Sequence, residues 1–237
     1  MKKELLSIVI PCKNEEKYIA NTLNALLMQP AVTFETPILI ADAGSTDKTR
    51  EIIDRYRAFL NIKVVPGGLP AKGRNIGASY TNSEFILFMD ADITPGEPNT
   101  ILEALNLARA RNLDLVSTHI HSTNGNFADN FLWHLHGLAS MTKIAGAYAA
   151  GMFILMRSSA FYRLGGFNEQ IALGEDWDLT HRIDPDKFSI SKSYINTTNR
   201  RFAAQGYLKT ILQYFMVAAS SSYRQRDHKK YFDVKFN

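Results

Sequence analysis

The sequence predicts an α/β fold, a mostly parallel, doubly wound sheet flanked by helices, and two observations carry that expectation. Short β-branched runs alternate with amphipathic stretches over roughly the first ninety residues. A chain of 237 residues with 46% hydrophobic and 21% charged positions is also long and apolar enough to hold one sizeable core without disulfides.

Residues 5–10 (LLSIVI) form the first such run, closed by Pro11, and residues 18–28 then place Ile19, Leu23, Leu26 and Leu27 at helical spacing. The unit recurs at 37–41 (PILIA). Ser45, Thr46 and Asp47 follow it, with hydroxyls able to cap a helix carrying Ile52, Ile53 and Tyr56, while Asp47 complements that helix's positive end. A third strand at 62–65 precedes Pro66-Gly67-Gly68 and a helix near 71–80, and a fourth strand covers 85–89. The second half mixes α and β: a helix at 99–111, a strand at 113–120, a helical segment at 127–142 and a strand at 188–195, late in the sheet or at its edge. The apolar stretch at 144–156 reads as buried core, being too short to span a bilayer. These elements make a single domain over residues 1–237, divided into halves at 1–95 and 96–222 and ending in a basic tail at 223–237.

Composition narrows the function classes. The single cysteine, Cys12, has no intrachain partner and fits a reducing cytoplasm better than a secreted scaffold. The apolar run near the N-terminus is too brief for a signal segment. A net charge of +4 is mildly basic, but Lys and Arg are spread along the chain up to the tail, so no nucleic-acid partner is expected. The chain lacks both G-x-x-x-x-G-K and a G-x-G-x-x-G after a strand, which excludes a Walker loop and argues against a dinucleotide-binding enzyme.

In a parallel sheet, ligands bind beyond the carboxyl ends of the strands, and there the sequence places its acids. Pro11-Cys12-Lys13-Asn14-Glu15-Glu16 follows the first strand, Asp42 begins the segment after the second, and Asp90-Ala91-Asp92 follows the fourth. Two carboxylates at the rim of a rigid strand can reach a divalent cation, and acids near a phosphate require one, since like charges 4 Å apart cost roughly 4 kcal/mol at an effective dielectric near 20. Lys72 and Arg74 open the third helix, where cations and helix amides favour an anion. Glu175-Asp176-Trp177-Asp178 sets an aromatic ring among carboxylates, as a sugar-binding surface does, with ring against C–H faces and acid against hydroxyls. His119 and His121 share a face of a predicted strand. His181 lies one turn beyond Asp178.

SIVIPCKNEEKYI, ADAGSTDKT, KGRNIGA, FMDAD and LGGFNEQIALGEDWDL, in this order and spacing, resemble the family 2 glycosyltransferases of GT-A fold over most of the chain. The resemblance implies an inverting glycosyltransferase of hexosyltransferase type. Residues 1–95 would form its nucleotide-sugar half and 96–222 its acceptor half. It implies a nucleotide-diphosphate sugar donor, with Pro11, Glu15 and Asp42 around the nucleoside, Arg74 near the base or phosphates and Asp90 near the ribose. Asp92 is implied as ligand of Mn²⁺ or Mg²⁺, and Asp176 as catalytic base. Glu175, Trp177, Arg200 and Arg201 stand as candidates for the acceptor or the diphosphate.

One carboxylate suffices for such a reaction, because a metal-neutralised diphosphate leaves without a proton, whereas glycoside hydrolysis needs two. Processive relatives carry Q-x-x-R-W beside membrane helices. Here Thr198-Asn199-Arg200-Arg201-Phe202 stands in that place, which points to transfer of one sugar at a time. A sugar nucleotidyltransferase is the alternative enzyme, but it would want a glycine-rich basic loop where PCKNEE stands. A non-catalytic sugar-nucleotide binder would be expected to have lost Asp92 or Asp176, and both are present. Residues 207–219 form an apolar stripe ahead of the basic, aromatic tail. The stripe would first of all pack on the sheet with the tail solvated; the pairing would also suit peripheral contact with the cytoplasmic face of a membrane and a lipid-linked acceptor, the other acceptor class being a saccharide.

Overall fold

A computed structural model of the chain describes residues 4–123, 130, 133–134, 146–171, 173–198, 206, 209 and 212. β1 (Glu4–Cys12), α1 (Ile19–Leu27), β2 (Ile38–Asp42), α2 (Thr49–Tyr56), β3 (Ile62–Pro66), α3 (Pro70–Ser79) and β4 (Ser83–Met89) follow one another in the predicted alternation. β1 pairs in parallel with β2 and β4, and β2 pairs in parallel with β3. The order β3-β2-β1-β4 means that the chain runs outward from β1 and then returns to its other side. Such a reversal opens a crevice at the carboxyl ends of the two strands that flank it, here β1 and β4.

The second half contributes β5 (Thr94–Pro95), α4 (Thr100–Ala110), β6 (Leu115–Ser122), β7 (Phe153–Arg157), α5 (Ser158–Arg163), α6 (Glu175–Thr180) and β8 (Phe188–Thr197). β7 runs antiparallel between β4 and β6, and β6 pairs in parallel with β8. β8 lies late in the sheet, as expected, and its outer side is covered only near its end. The two-residue β5 lies outside it through Thr94↔Asn196 and Pro95↔Ile195, and a strand so short escapes recognition by periodicity. Pro95, which has no N–H to donate, is tolerated at that edge.

Side-chain alternation gives the sheet two cores. Ile8, Ile10, Ile38, Ile40, Leu87 and Phe153 join one cluster with Leu23 of α1, Ile53 of α2 and Leu105 of α4. Val9, Leu39, Ile86, Phe88 and Ile154 join the other with Ala71 and Ala78 of α3, Phe161 of α5 and Leu179 of α6. Burial on both faces is why β2 and β4 read as nearly unbroken apolar runs. The expected core stretch is likewise buried at Ala147, Ala149, Ala150 and from Phe153 to Met156.

The cap expected of α2 differs in detail. Lys48 is the N-cap residue and makes no side-chain cap, while the Asp47 carboxylate one residue earlier accepts from the Thr49 backbone N–H at 3.0 Å and from its hydroxyl at 2.5 Å. Ser45 turns instead to Asp42. α3 sits unusually close to the sheet because a Cβ on Gly77 would come within 2.3 Å of Val9 Cγ1, a space that only glycine leaves open.

Of the helical segment expected at 127–142, Asn130, Trp133 and His134 are described and helical, and the rest lies outside the described residues. Also outside them are Arg200, Arg201, the stripe at 207–219 save Lys209 and Leu212, and the tail at 223–237. Among the described residues no helix is long and apolar enough to cross a membrane.

Phe88 fills the centre of the second core, fully buried, with the Phe161 ring 5.1 Å away and the Phe167 ring edge-on at 5.0 Å. Phe88→Ala is expected to lower unfolding free energy by about 3–5 kcal/mol, read by chemical denaturation.

Candidate active site

Because β1, β2 and β4 are parallel, their carboxyl ends share one edge of the sheet. The loops after β1 and β2 are bonded to each other there. Asn14 Oδ1 accepts from Thr46 N at 2.8 Å, Asn14 N donates to Ser45 Oγ at 2.9 Å, Glu15 N donates to Thr49 Oγ1 at 2.8 Å, and Lys48 N donates to Glu16 Oε2 at 3.0 Å. Glu15 is thereby held half-buried at the rim. The Asp42 side chain is fully buried, accepting from Arg50 Nε at 2.5 Å and from Ser45 Oγ at 2.5 Å. The sequence places Asn14 and Ser45 after their strands, but their bonding to each other across 31 residues has no local signal.

Pro11 pairs with Ala41 across β1 and β2. Both lie under α3, where a Cβ on Gly73 would stand 3.4 Å from Ala41 Cβ and 3.6 Å from Pro11 Cβ. Cys12 is buried. Burial, reinforced by the charges of Glu15, Asp42 and Asp47, pushes its thiol far above the ordinary range, so it stays protonated.

The close seat of α3 carries Arg74 beneath the tip of β4. Its side chain is 3% exposed, and both terminal nitrogens are engaged: Nη1 donates to Glu175 Oε1 at 2.6 Å, and Nη2 donates to Asp90 Oδ1 at 2.7 Å and to Gly151 O at 3.3 Å. Burial alone would disfavour the charged guanidinium, but Asp90, Glu175 and Asp176 outweigh it and hold the cation. Arg74, expected near the base or phosphates, is enclosed by carboxylates.

Gly151 lies just before β7, whose Phe153 pairs with Met89 at the end of the antiparallel β4, and its carbonyl shares Arg74 Nη2 with Asp90. Its N–H donates to Asp176 Oδ2 at 2.6 Å, and Asp176 Oδ1 accepts from Trp177 N at 2.8 Å. Glu175 is more than a complement to the dipole of α6: it is a buried carboxylate on Arg74. Burial raises its pKa to about 6, with Arg74 opposing the rise and Asp176 adding to it. The Arg74–Glu175 pair spans 101 residues, and Gly151 has no local signature at all.

Asp90 is one-third exposed and Asp92 half-buried, and the loop between them is anchored where Thr22 Oγ1 donates to Ala91 O at 2.7 Å. Among the described residues no three His, Cys, Asp or Glu side chains converge to hold an ion by themselves. The two aspartates instead offer hard oxygen donors of the kind that hold Mg²⁺ or Mn²⁺ jointly with a substrate's phosphates. His121 stacks on Tyr194, ring centres 4.3 Å apart, which occupies one of the two histidines on that strand.

On α6 the Trp177 ring stacks on His181 at 3.8 Å, and Tyr148 lies 6.2 Å from His181. Asp178 pairs with Arg182 at 3.2 Å. An open cleft of about 590 Å³, lined by Asn75, Phe167, Glu169, Asp178 and Arg182 among others, borders this helix without including Asp90, Asp92 or Asp176.

Residues 7–169 match the family described as Glycosyl transferase family 2. Among curated proteins the chain is 39% identical over 90 residues to the poly(ribitol-phosphate) beta-N-acetylglucosaminyltransferase TarS of Staphylococcus aureus, a match covering 36% of this chain and 16% of TarS. It is 31% identical over 193 residues to the succinoglycan biosynthesis protein ExoA of Rhizobium meliloti, covering 74% of this chain and 57% of ExoA. The matches thus span from a sixth to somewhat over half of these relatives' lengths. Among solved structures, TarS 1–349 in complex with UDP-GlcNAc superposes with a TM-score of 0.67 at 23% identity, covering 82% of this chain and 58% of that one. The mannosyltransferase PcManGT of Pyrobaculum calidifontis, in complex with GDP-Man and Mn²⁺, gives 0.66 at 17%, covering 91% and 65%. These likenesses establish the GT-A fold expected from the sequence.

Removing the guanidinium should destabilise the fold in a pH-dependent way. Arg74→Met leaves Glu175 buried without its cation, at a cost of about 3–5 kcal/mol near neutral pH. Because the folded pKa of Glu175 already lies above its unfolded value, and Arg74 is what holds it down, the variant's stability falls as pH rises through and beyond about 6. The difference in melting temperature between wild type and variant should accordingly be larger at pH 8 than at pH 5. An equal difference at the two pH values would remove Glu175 from the account.

Proposed function

The chain belongs to glycosyl transferase family 2, and on that premise we propose that it transfers a single sugar from a nucleotide-diphosphate sugar to an acceptor hydroxyl, with inversion and with a divalent cation. One observation carries the reading: the strand-tip acids Asp90 and Asp92 lie on the same edge as Asp176, and Asp90 and Asp176 are tied to one buried guanidinium, directly and through Gly151. The fold neighbours with UDP-GlcNAc and with GDP-Man and Mn²⁺ support the donor class and the cation.

Pro11, Glu15 and Asp42, in the bonded loops after β1 and β2, take the nucleoside, and Asp90 takes the ribose. Asp92 would hold Mn²⁺ or Mg²⁺, which when bound would neutralise the donor's diphosphate, so that no side chain need supply a proton to the leaving group. Asp176 accepts the acceptor hydroxyl's proton while that oxygen forms its bond to the anomeric carbon, and the bond from that carbon to the diphosphate breaks, its electron pair leaving with the nucleoside diphosphate. Attack opposite the leaving group inverts the centre. Trp177, next to Asp176, offers a ring to a saccharide or lipid-linked acceptor.

A panel of nucleotide sugars with Mn²⁺ or Mg²⁺, followed by thermal shift and slow donor hydrolysis, tests the donor class. A true donor at 100 times its dissociation constant stabilises by about 2.7 kcal/mol, and a panel in which no member shifts melting sinks the reading. With the donor so found, Asp92→Ala is expected to abolish metal-dependent nucleotide binding in calorimetry. Asp176→Asn is expected to keep donor affinity within a few-fold while turnover is lost. Retained turnover would remove Asp176 from the chemistry.

A further inference from the structure

We propose that Arg74 is a positioning residue that ties the strand-tip carboxylate Asp90 to the base Asp176, through the backbone of Gly151 on one side and the ion pair to Glu175 on the other. The inference rests on the reading of Asp176 as the base. Nη2 donates both to Asp90 Oδ1 at 2.7 Å and to Gly151 O at 3.3 Å, and the same glycine's N–H donates to Asp176 Oδ2 at 2.6 Å. One nitrogen therefore fixes the donor-side acid and the residue that aims the base.

The second connection runs through α6. This helix has six residues, begins at a left-handed Gly174 with φ 81° and has no side-chain cap, so its placement must come from tertiary bonds rather than from helix propensity. Glu175, its first residue, supplies such a bond at 2.6 Å to Nη1, and Asp176 is the next residue along.

The wedge between the two connections is packed to contact. A Cβ at position 151 would lie 2.8 Å from Arg74 Nη2 and 3.3 Å from Asp176 Oδ2, so even alanine must displace the guanidinium or the carboxylate. Misplacing a catalytic group by about 1 Å can cost on the order of 100-fold in rate. Damage to this connection should therefore fall on turnover more than on nucleotide affinity, because the nucleoside site rests mainly on the loops after β1 and β2, with Asp90 its one residue held by Arg74.

The test compares wild type, Glu175→Gln, which keeps an acceptor for Nη1 but removes the charge, and Gly151→Ala. Calorimetry with UDP and GDP in Mn²⁺ reads nucleotide affinity, donor hydrolysis reads turnover with water in the acceptor's place, and amide NMR reads residue 151 directly. Expected are nucleotide affinities within about threefold of wild type and hydrolysis reduced by roughly tenfold or more in both variants. In Glu175→Gln the Gly151 amide proton should also move upfield and exchange faster as its bond to Asp176 loosens.

Hydrolysis within twofold of wild type in both variants, or equal loss of affinity and turnover, overturns the positioning role. So does an unchanged Gly151 amide in Glu175→Gln, and that readout needs no donor. A wild-type protein that binds no nucleotide yet shows the amide shift upholds the connection and sinks the donor reading alone.

Discussion

The burial of one guanidinium is the constraint around which this molecule is arranged. A cation withdrawn from water is tolerable only when carboxylates reach it with good geometry, and Arg74 draws them from three places: Asp90 after β4, Glu175 at the start of α6 and, through Gly151, Asp176 beside it. Each contact makes a demand on the fold. α3 must lie close to β1 and β2, which Gly73 and Gly77 permit, and β7 must return antiparallel to β4 so that Gly151 falls beside the Asp90 loop. α6, too short to stand alone, must dock on α3.

The charge balance explains why this centre suits an anionic ligand only in company. Asp90, Asp92, Glu175 and Asp176 bring four carboxylates to an edge where Arg74 is the buried cation that Asp90 and Glu175 share. A diphosphate approaching that surplus of negative charge is repelled, and a divalent cation reverses the sign of the interaction.

The end of the crevice formed by the loops after β1 and β2 is organised differently. There the loops after β1 and β2 are bonded mainly through neutral and backbone groups, Asn14 to Ser45 and Thr46, Glu15 to Thr49, with the buried Asp42 paired to Arg50. A surface fixed in this way loses little conformational freedom when a ligand arrives.

What the sequence determined by itself was local. The alternation from β1 to β4 and the acids at the strand ends follow from periodicity and turn chemistry within a few residues, while the roles expected of Glu15, Asp42, Asp90, Asp92 and Asp176 rested on the family resemblance. The two-residue β5 was invisible because it carries no period, and it covers only the end of the strand expected late in the sheet or at its edge. The partnership of Arg74 with Glu175 across 101 residues, the role of Gly151 and the stacking of Trp177 on His181 against Tyr148 were decided only by tertiary structure. The physical reason is that a charge or a bare backbone peptide has no preferred partner in sequence. It acquires one only when burial removes water as the alternative, and which groups are buried together is set by strand order and register rather than by neighbouring residues.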